Sequence, residues 1–579
     1  MEQFYSAERN VQIVVALLKQ HGIKKIVASP GSTNVTFVGS VQQDPYFEIY
    51  SSVDERSAAY IACGLAAESG EPVAINCTGA TASRNYFPAL TEAFYRKLPI
   101  LAITSTQDEC KIGHLIPQII DRSCQPKDTV KHSVHLHTVK DADDEWYCTV
   151  KANEAMLALK HHGTGPVHIN LTTTYSADFS VKELPAVRKI ERYMSWETVQ
   201  FPDVPQGKVL IYVGSHMRMN EELVRAIERF CEAYNAAVIV ESTSNYTGNF
   251  RIAYQLVAQQ AIEKQNADAD LLIHIGEMSD MGFLAGNPKQ VWRVNEDGKL
   301  VDRFRTLKAV FEMTEQSFFE HYIPLGNVHS NALYLSLKEE CERVLNKMPE
   351  LPFSHLYVAQ KLHDKFPMGA TLHLGILSPL RSWGYFPLPK DMEVYCNQGG
   401  FGIDGNMSSM LGASLVNPKK LYYVVVGDLS FFYDMNVLGN RHMGNNVRIL
   451  LVNNALGAEF HLFKQSNLIY VNNVDHYLSA GGHFGKQSPL VVKHLAEDWG
   501  YEYLCASSKN DFEEVYKRFI TSELTDKPMI FEVFTDVNDE NDALYKMYHV
   551  EKSKKSEVKN AIKSIMGESM LSAIRKVRK

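Results

Sequence analysis

Oxygen ligands follow two apolar segments in the C-terminal third of the chain. Residues 422–426 form one apolar run and lead into Asp428, and residues 449–452 form another and lead into Asn454. If the two runs are adjacent parallel strands, their carboxyl ends bring these side chains to one edge of a sheet. A carboxylate, an amide oxygen and a nearby backbone carbonyl suit Mg²⁺, which keeps further positions open for phosphate oxygens and water. The pair therefore predicts a Mg²⁺ site beside a phosphate group.

The residues that flank Asp428 suit that phosphate. Gly427 has no side chain, so the backbone can approach a phosphate closely there. Leu429 and Ser430 open the following helix, whose amides and dipole favour an anion, and the serine hydroxyl is a further donor. Each feature alone is also typical of an ordinary turn. The strand–helix–strand pattern and the 26 positions from Asp428 to Asn454 favour the binding site.

A carboxylate in the N-terminal third could act in acid–base chemistry. Residues 52–60 read S-V-D-E-R-S-A-A-Y and place Glu55 at the predicted junction of a strand and a helix. By itself, Glu55 is best interpreted as a solvated residue that caps the helix. The catalytic interpretation is preferred here because Asp428 and Asn454 supply the other half of a cofactor site.

Together these motifs resemble those of thiamine-diphosphate-dependent enzymes, and within that family the chain is most similar to the SEPHCHC synthase branch of the menaquinone pathway. The matching segments follow the family's order: S-P-G-S at 29–32, D-E-R-S-A at 54–58, C-T-G at 77–79, N-Y at 85–86, G-P-V-H-I-N at 165–170, G-I-D-G at 402–405 and G-D-L-S at 427–430. The resemblance implies thiamine diphosphate and Mg²⁺ as cofactors. It also implies decarboxylation of a 2-oxo acid with formation of a carbon–carbon bond on an acceptor.

The resemblance assigns roles to individual positions. Glu55 would activate the cofactor by hydrogen-bonding a ring nitrogen of its aminopyrimidine, and Gln118 would contact the reacting substrate. The metal would be held by Asp428, Asn454 and the Leu456 carbonyl. Further cofactor contacts are implied at Gly79, Gly402, Ile403, Gly427, Leu429 and Ser430.

The resemblance breaks at the positions that bind substrate carboxylates. The family has arginines there, because buried carboxylates need charged partners. Three of these arginines are replaced, by Thr33, Gln107 and Gln398. A Lys-Arg pair is also missing near 278–281, whereas Arg381 is retained. Ser32 and Glu459 are further substrate candidates, and His114 is a weaker acid–base candidate. We therefore expect an acceptor other than isochorismate.

Two alternatives remain open. The chain could be a SEPHCHC synthase, which decarboxylates 2-oxoglutarate and adds the product to isochorismate, with other basic residues replacing the arginines. A non-catalytic nucleotide-phosphate-binding protein is a different class, which the lack of a G-x-x-x-x-G-K-[ST] motif disfavours. The central third lacks a G-x-G-x-x-G fingerprint, so neither FAD nor NAD is expected there.

The elements that must position these residues alternate between short apolar strands and amphipathic helices. This pattern indicates three doubly wound α/β domains with parallel sheets and ligand loops at the carboxyl ends of the strands. Proline-bearing stretches at 184–207 and 347–353 suggest a pyrimidine-binding domain at 1–183, a central domain at 206–346 and a diphosphate- and Mg²⁺-binding domain at 353–550. Residues 551–579 carry nine Lys or Arg against three Glu and predict a basic C-terminal helix.

Composition limits the possible partners and location. The net charge of -8 offers no basic field for nucleic acid, and the apolar run at 11–18 is too short to span a membrane. The nine cysteines show no C-x-x-C spacing, so neither a disulfide framework nor a zinc site is indicated, and we expect a cytoplasmic protein. His161-His162 beside Gly163 carries little weight. The family's active site is shared between subunits, which implies a homodimer or homotetramer.

Overall fold

A computed structural model describes most of the chain. The described residues are 4–53, 55–69, 71–95, 98–162, 164–194, 200–216, 218–260, 268–277, 282–398, 401–403, 405–414, 416–441, 443–462, 474–482 and 488–551. The predicted C-terminal helix at 551–579, apart from its first residue, and the segment at 278–281 lie outside them, as do Asp54 and Asp404.

The described elements alternate between helices and strands along the chain. The helices are α1 Arg9–Gln20, α2 Val35–Val41, α3 Glu55–Ser69, α4 Thr81–Asn85, α5 Phe87–Tyr95, α6 Ala142–Ala158, α7 Glu221–Tyr234, α8 Gln255–Ala258, α9 Glu315–Tyr322, α10 Ala332–Leu345, α11 His355–Leu362, α12 Ser378–Gly384, α13 Asn406–Ser414, α14 Asp428–Tyr433, α15 Val474–Tyr477, α16 Val491–Asp498, α17 Lys509–Phe519 and α18 Val537–Tyr548. The strands are β1 Lys25–Ala28, β2 Glu48–Ser51, β3 Val73–Cys77, β4 Ile100–Thr106, β5 His132–Leu136, β6 Val167–Thr172, β7 Glu191–Met194, β8 Val209–Val213, β9 Ala237–Val240, β10 Arg251–Ile252, β11 Leu271–Ile275, β12 Val291–Val294, β13 Leu307–Glu312, β14 Thr371–Leu374, β15 Glu393–Cys396, β16 Tyr422–Gly427, β17 Val447–Asn453, β18 Glu502–Ala506 and β19 Met529–Phe534.

The chain divides into two compact units. The first comprises Met1–Phe201 with Asp297–Glu312, and the second comprises Pro202–Glu296 with Met313–Lys579. None of the helices described in either unit is both long and apolar enough to cross a membrane.

The first unit contains a six-stranded parallel sheet in the order β2-β1-β3-β4-β6-β5. Its four inner strands, β1, β3, β4 and β6, are buried because helices cover both faces of the sheet. On one face the buried side chains pack with α1 and α6, and on the other with α3 and α5. The order reverses between β1 and β3, and in such sheets ligands bind beyond the carboxyl ends of the strands at that point. The loops after β1, β2, β3 and β4 carry the predicted positions Ser32, Thr33, Glu55, Gly79 and Gln107.

A second sheet takes its strands from residues 191–312. In the second unit, five of these strands run in the order β10-β9-β8-β11-β12. In the first unit, β7 and β13 pair in parallel, with Glu191 opposite Ala309 and Met194 opposite Glu312.

The third sheet lies in the second unit and has the order β15-β14-β16-β17-β19-β18. Tyr422 pairs with Val447 and Gly427 with Val452, so β16 and β17 are parallel and end together. The apolar runs at 422–426 and 449–452 are therefore adjacent strands, as predicted. Three parallel α/β sheets confirm the predicted fold class, and the domain boundaries at 183, 206, 346 and 353 stay a prediction.

His168 generates a prediction about pH and stability in the first unit. It lies on β6, where Thr104 Oγ1 is 2.7 Å from Nε2 and Ser133 Oγ is 2.8 Å from Nδ1. Burial lowers the pKa of His168 to about 3. As the pH falls below about 6.5, the unfolded chain therefore takes up a proton that the folded chain does not, and the folded state loses up to about 1.4 kcal/mol per pH unit.

We expect His168→Gln, which keeps hydrogen-bonding groups but does not titrate, to weaken the acid sensitivity of unfolding. Urea unfolding of wild type and variant between about pH 4.5 and 7.5 measures it, with the exposed His494→Gln as the matched control. Identical pH profiles for His168→Gln and wild type would contradict the assignment.

Candidate active site

A cavity of about 590 Å³ opens at the carboxyl edge of the third sheet. Its walls come from the ends of β14, β16 and β17 and from residues near α15. Eight of the predicted site residues line it: Ile403, Gly427, Asp428, Leu429, Ser430, Asn454, Leu456 and Glu459. Four residues with polar side chains that the sequence analysis did not single out also line it: His355, Ser378, Tyr433 and Tyr477.

Asp428 is the buried charge of this cavity, with 6% of its surface exposed. Burial raises the pKa of its carboxyl group to about 7, although nearby backbone N–H groups, that of Leu429 among them, act in the opposite direction. The Leu429 amide donates to Oδ1 at 2.9 Å. The carboxylate is therefore held at the end of β16, where it lines the same cavity as the turn after β17.

The turn after β17 places two further oxygen groups at the cavity. Ala455 has a left-handed backbone conformation, with φ of 64°, which turns the chain sharply after Asn454. Asn454 and Leu456, on either side of this turn, both line the cavity. Gly427 borders the same space, and a Cβ added there would meet no atom within 4 Å.

Ser430 has a positioning contact at the cavity wall. Its hydroxyl donates to the Ile403 carbonyl at 2.5 Å and accepts from Asn406 Nδ2 at 3.0 Å. Asn406 Nδ2 donates to the same carbonyl at 2.8 Å. These bonds fix Ile403, which follows Gly402 directly, at the entrance to α13.

Arg381 and Glu459 form an ion pair at the cavity. Arg381 Nη2 lies 2.8 and 2.7 Å from the two Glu459 carboxylate oxygens. The Arg381 side chain is 18% exposed and the Glu459 side chain is 25% exposed, so both are largely buried. The one retained arginine is therefore neutralised by Glu459, which is itself a predicted substrate residue.

Gln398 lies away from the cavity. It is 2% exposed, accepts from Thr243 Oγ1 at 3.1 Å and contacts Glu241 at 3.5 Å through Nε2. Gln398, which follows β15, therefore belongs to a buried hydrogen-bond network in the second unit.

In the first unit, the structure brings predicted residues together in pairs. Glu55 begins α3, and its Oε2 accepts from Asn85 Nδ2 at 3.4 Å. Gly79 approaches Gln118 so closely that an added Cβ would lie 3.1 Å from the Gln118 carbonyl oxygen. Gln118 itself is exposed and has φ of 64°. His114 is exposed in the same loop.

The three remaining positions of this unit differ in exposure. Ser32 is exposed, but Thr33 is 2% exposed and its carbonyl accepts from Thr173 at 2.7 Å. Gln107 Nε2 donates to the Tyr175 hydroxyl at 2.6 Å, and Lys111 Nζ donates to Gln107 Oε1 at 2.5 Å. A lysine thus stands beside the position where the resemblance leads one to expect an arginine.

Sequence reasoning missed several of these contributors. Lys111 lies four positions after Gln107, a spacing that a search for replacement cations could have found. His355 offered no such signal: its backbone N–H donates to both Glu540 oxygens at 3.0 and 3.1 Å, although the two residues are 185 positions apart. Burial raises the pKa of Glu540 to about 7.

Comparisons with known proteins agree with this geometry. Residues 9–124 match the model of the thiamine pyrophosphate enzyme N-terminal TPP binding domain, thiamine pyrophosphate being thiamine diphosphate. Proteins named 2-succinyl-5-enolpyruvyl-6-hydroxy-3-cyclohexene-1-carboxylate synthase, the full name of SEPHCHC synthase, are similar along nearly the whole chain. The protein from Bacteroides fragilis is 33% identical over 94% of this chain and 99% of its own length. The protein from Phocaeicola vulgatus is 33% identical over 95% of this chain and 100% of its own length. The protein from Flavobacterium johnsoniae is 28% identical over 93% of this chain and 98% of its own length. The chain therefore belongs to the thiamine pyrophosphate enzyme family and lies close to its SEPHCHC synthase branch.

Proposed function

We propose that this chain is a Mg²⁺-dependent thiamine diphosphate enzyme that decarboxylates 2-oxoglutarate and joins the remaining carbons to isochorismate, the reaction of SEPHCHC synthase. The observation that carries the proposal is the similarity to proteins of that name at 33% identity over 94% of the chain. SEPHCHC synthase activity thus becomes the main candidate, in place of the sequence-based expectation of an acceptor other than isochorismate.

The cavity of the second unit supports the cofactor part of the proposal. A buried carboxylate is costly to ionise alone, so Asp428 would gain from a bound cation. With the Asn454 amide oxygen and the Leu456 carbonyl it offers the all-oxygen donor set that Mg²⁺ prefers. The open space beside Gly427 suits a phosphate group that must lie against the backbone.

The residues of the first unit would act on the cofactor's ring and on the substrate. When bound, thiamine diphosphate supplies the nucleophilic carbon and the electron sink for loss of carbon dioxide. Glu55 would share a proton with the aminopyrimidine ring, and Asn85 would orient the Glu55 carboxyl group through its hydrogen bond. Ile403, held by Ser430, would support the ring from the second unit.

Cations near the predicted substrate positions favour a carboxylate substrate. Lys111 is held beside Gln107 and would supply positive charge to the loop after β4. A lysine binds a carboxylate as a point charge without the bidentate geometry of arginine. The proposal therefore assigns Lys111 as the substitute for one missing arginine.

A specific observation favours a second candidate, an acceptor other than isochorismate. Arg381 already pairs with Glu459. Thr33 and Gln398, at two of the replaced arginine positions, are each 2% exposed. An acceptor with fewer carboxylates than isochorismate would need fewer cations.

An assay with 2-oxoglutarate, thiamine diphosphate and Mg²⁺ separates the two candidates. With isochorismate present, we expect carbon dioxide release and a product with the mass of the adduct. Carbon dioxide release without that adduct would favour the second candidate, and no release from any 2-oxo acid tested would overturn both.

Glu55→Gln should slow turnover about 10²–10⁴-fold, and the exposed Glu48→Gln should not.

Removal of the Asp428 charge tests the metal assignment apart from turnover. Asp428→Asn keeps the side-chain shape but removes the anionic ligand. We expect it to weaken Mg²⁺-dependent binding of thiamine diphosphate by about 100-fold or more, because even groups one shell outside a metal site change affinity about 10–100-fold. Calorimetry with Mg²⁺ or with a chelator measures the effect, and the exposed Asp526→Asn is the matched control. Equal affinities of wild type and Asp428→Asn would exclude the assignment.

We further propose that the first unit of one subunit and the second unit of another complete each site, as the family resemblance implies. Exposed apolar side chains lie next to both halves in the isolated chain, and exposed apolar patches mark interaction surfaces. Val53 and Leu115 are 79% and 99% exposed near Glu55 and Gln118, and Tyr477 is 76% exposed at the cavity.

Mixing two inactive variants tests this arrangement. Dimers that combine a Glu55→Gln subunit with an Asp428→Asn subunit contain one doubly altered site and one intact site. Random pairing should therefore restore about one quarter of the wild-type activity to the co-expressed mixture, whereas each variant alone stays inactive. A mixture as inactive as its components, with mixed dimers verified by mass spectrometry, would show that each site is built from one subunit.

A further inference from the structure

Two adjacent histidines and a distant glutamate meet in the first unit, away from the predicted cofactor residues. His161 and His162 lie in the turn that follows α6, and Glu312 is the last residue of β13. His161 Nε2 is 2.6 Å from Glu312 Oε2, and His162 Nε2 is 3.1 Å from Oε1. Adjacent side chains usually diverge; here both imidazoles reach one carboxylate, and His162 has a left-handed backbone with φ of 51°.

The spacing of these atoms suits a small metal ion. The three ligand atoms all lie within 4.8 Å of one another. Zinc binds histidine nitrogen and carboxylate oxygen at about 2.0–2.2 Å, so a tetrahedral centre separates its ligand atoms by about 3.3–3.5 Å. To reach this separation, the observed nitrogen–oxygen distance of 3.1 Å must lengthen by a few tenths of an ångström, and that of 2.6 Å by just under about one ångström.

Glu312 does not serve chiefly as the partner of the nearby arginine. Arg192 is 8% exposed, and its Nε lies 4.0 Å from Glu312 Oε2, beyond hydrogen-bond distance. A carboxylate placed to neutralise a guanidinium would bind it bidentately. Instead, both Glu312 oxygens face imidazoles, and Arg192 Nε and Nη1 have no hydrogen-bond partner within the described ranges.

The surroundings leave a metal ion accessible and with an open coordination position. The cluster borders a cavity of about 470 Å³ that Lys131, Lys151 and Lys299 also line. His162 is 62% exposed, so an ion can enter from solvent, whereas Glu312 is 3% exposed and fixes the ligand set from inside. Two histidines and one glutamate leave a fourth position to water or an anion.

We propose that His161, His162 and Glu312 bind a divalent transition metal ion such as Zn²⁺, with the fourth position open to the lysine-lined cavity. The ion would connect the turn after α6 to the end of β13. It is distinct from the Mg²⁺ proposed at Asp428, because imidazole ligands select zinc-like ions and all-oxygen ligands select magnesium.

Zinc titration of the full-length protein tests the proposal. The protein is first treated with a chelator, then supplied with thiamine diphosphate and Mg²⁺ in excess, and titrated with Zn²⁺ against a chromophoric zinc chelator. We expect wild type to bind one equivalent more tightly than His162→Ala by about 100-fold or more. That equivalent should also raise the melting temperature of wild type and leave that of His162→Ala unchanged.

Two further measurements secure the interpretation. Glu312→Gln should lose the same equivalent, and the exposed His494→Ala should keep it. Co²⁺ in place of Zn²⁺ should give the absorption of a tetrahedral site in wild type and lose it in His162→Ala. If wild type and His162→Ala bind Zn²⁺ with the same stoichiometry and affinity, the proposal is wrong. The readout is metal binding, so the test remains valid even if the enzyme acts on substrates other than 2-oxoglutarate and isochorismate.

Discussion

The cofactor cavity depends on one buried carboxylate. Asp428 lies between the ends of β16 and β17, where burial raises its pKa to about 7. The Leu429 N–H at the end of β16 donates to its Oδ1 at 2.9 Å, so this strand end defines where the charge lies, beside the sharp turn at Ala455. A group held in this way is rigid and poorly solvated, and it gains most from a cation. The third sheet can therefore be understood as the frame that fixes this charge.

Asp428 could be located from the sequence because it directly follows an apolar strand, whereas Glu55 and Gly79 were assigned through the family resemblance. In a parallel sheet, strand order and direction bring such loops to one edge without any further information. The same reasoning gave the three-sheet fold class, since apolar runs alternate with amphipathic helices. Local pattern and chain direction therefore account for the predicted site at Asp428 and Asn454, and the resemblance accounts for the roles assigned to Glu55 and Gly79.

Contacts between distant positions were not accessible in this way. Arg381 and Glu459 were both proposed to bind substrate, but their mutual ion pair depends on how α12 packs beside the turn after β17. Thr33 and Gln398 are buried by neighbouring loops, which a motif comparison does not register. Glu312 lies 150 positions beyond His162, so the histidine pair carried no signal alone. Side-chain packing, which sequence periodicity does not encode, decides each case.

The residues assigned to the cofactor and those assigned to the substrate therefore differ in how the fold holds them. The strand ends hold the cofactor residues, and their geometry follows from hydrogen-bonded sheets that tolerate little change. The charges proposed to select a substrate come from side chains outside the sheets: Lys111 stands beside Gln107, and Glu459 neutralises Arg381 of α12. Such charges can change without disturbing the sheets beneath them. In the proposed function, Lys111 and the Arg381–Glu459 pair would bear on the choice of acceptor, whereas Glu55 and Asp428 would serve the decarboxylation chemistry.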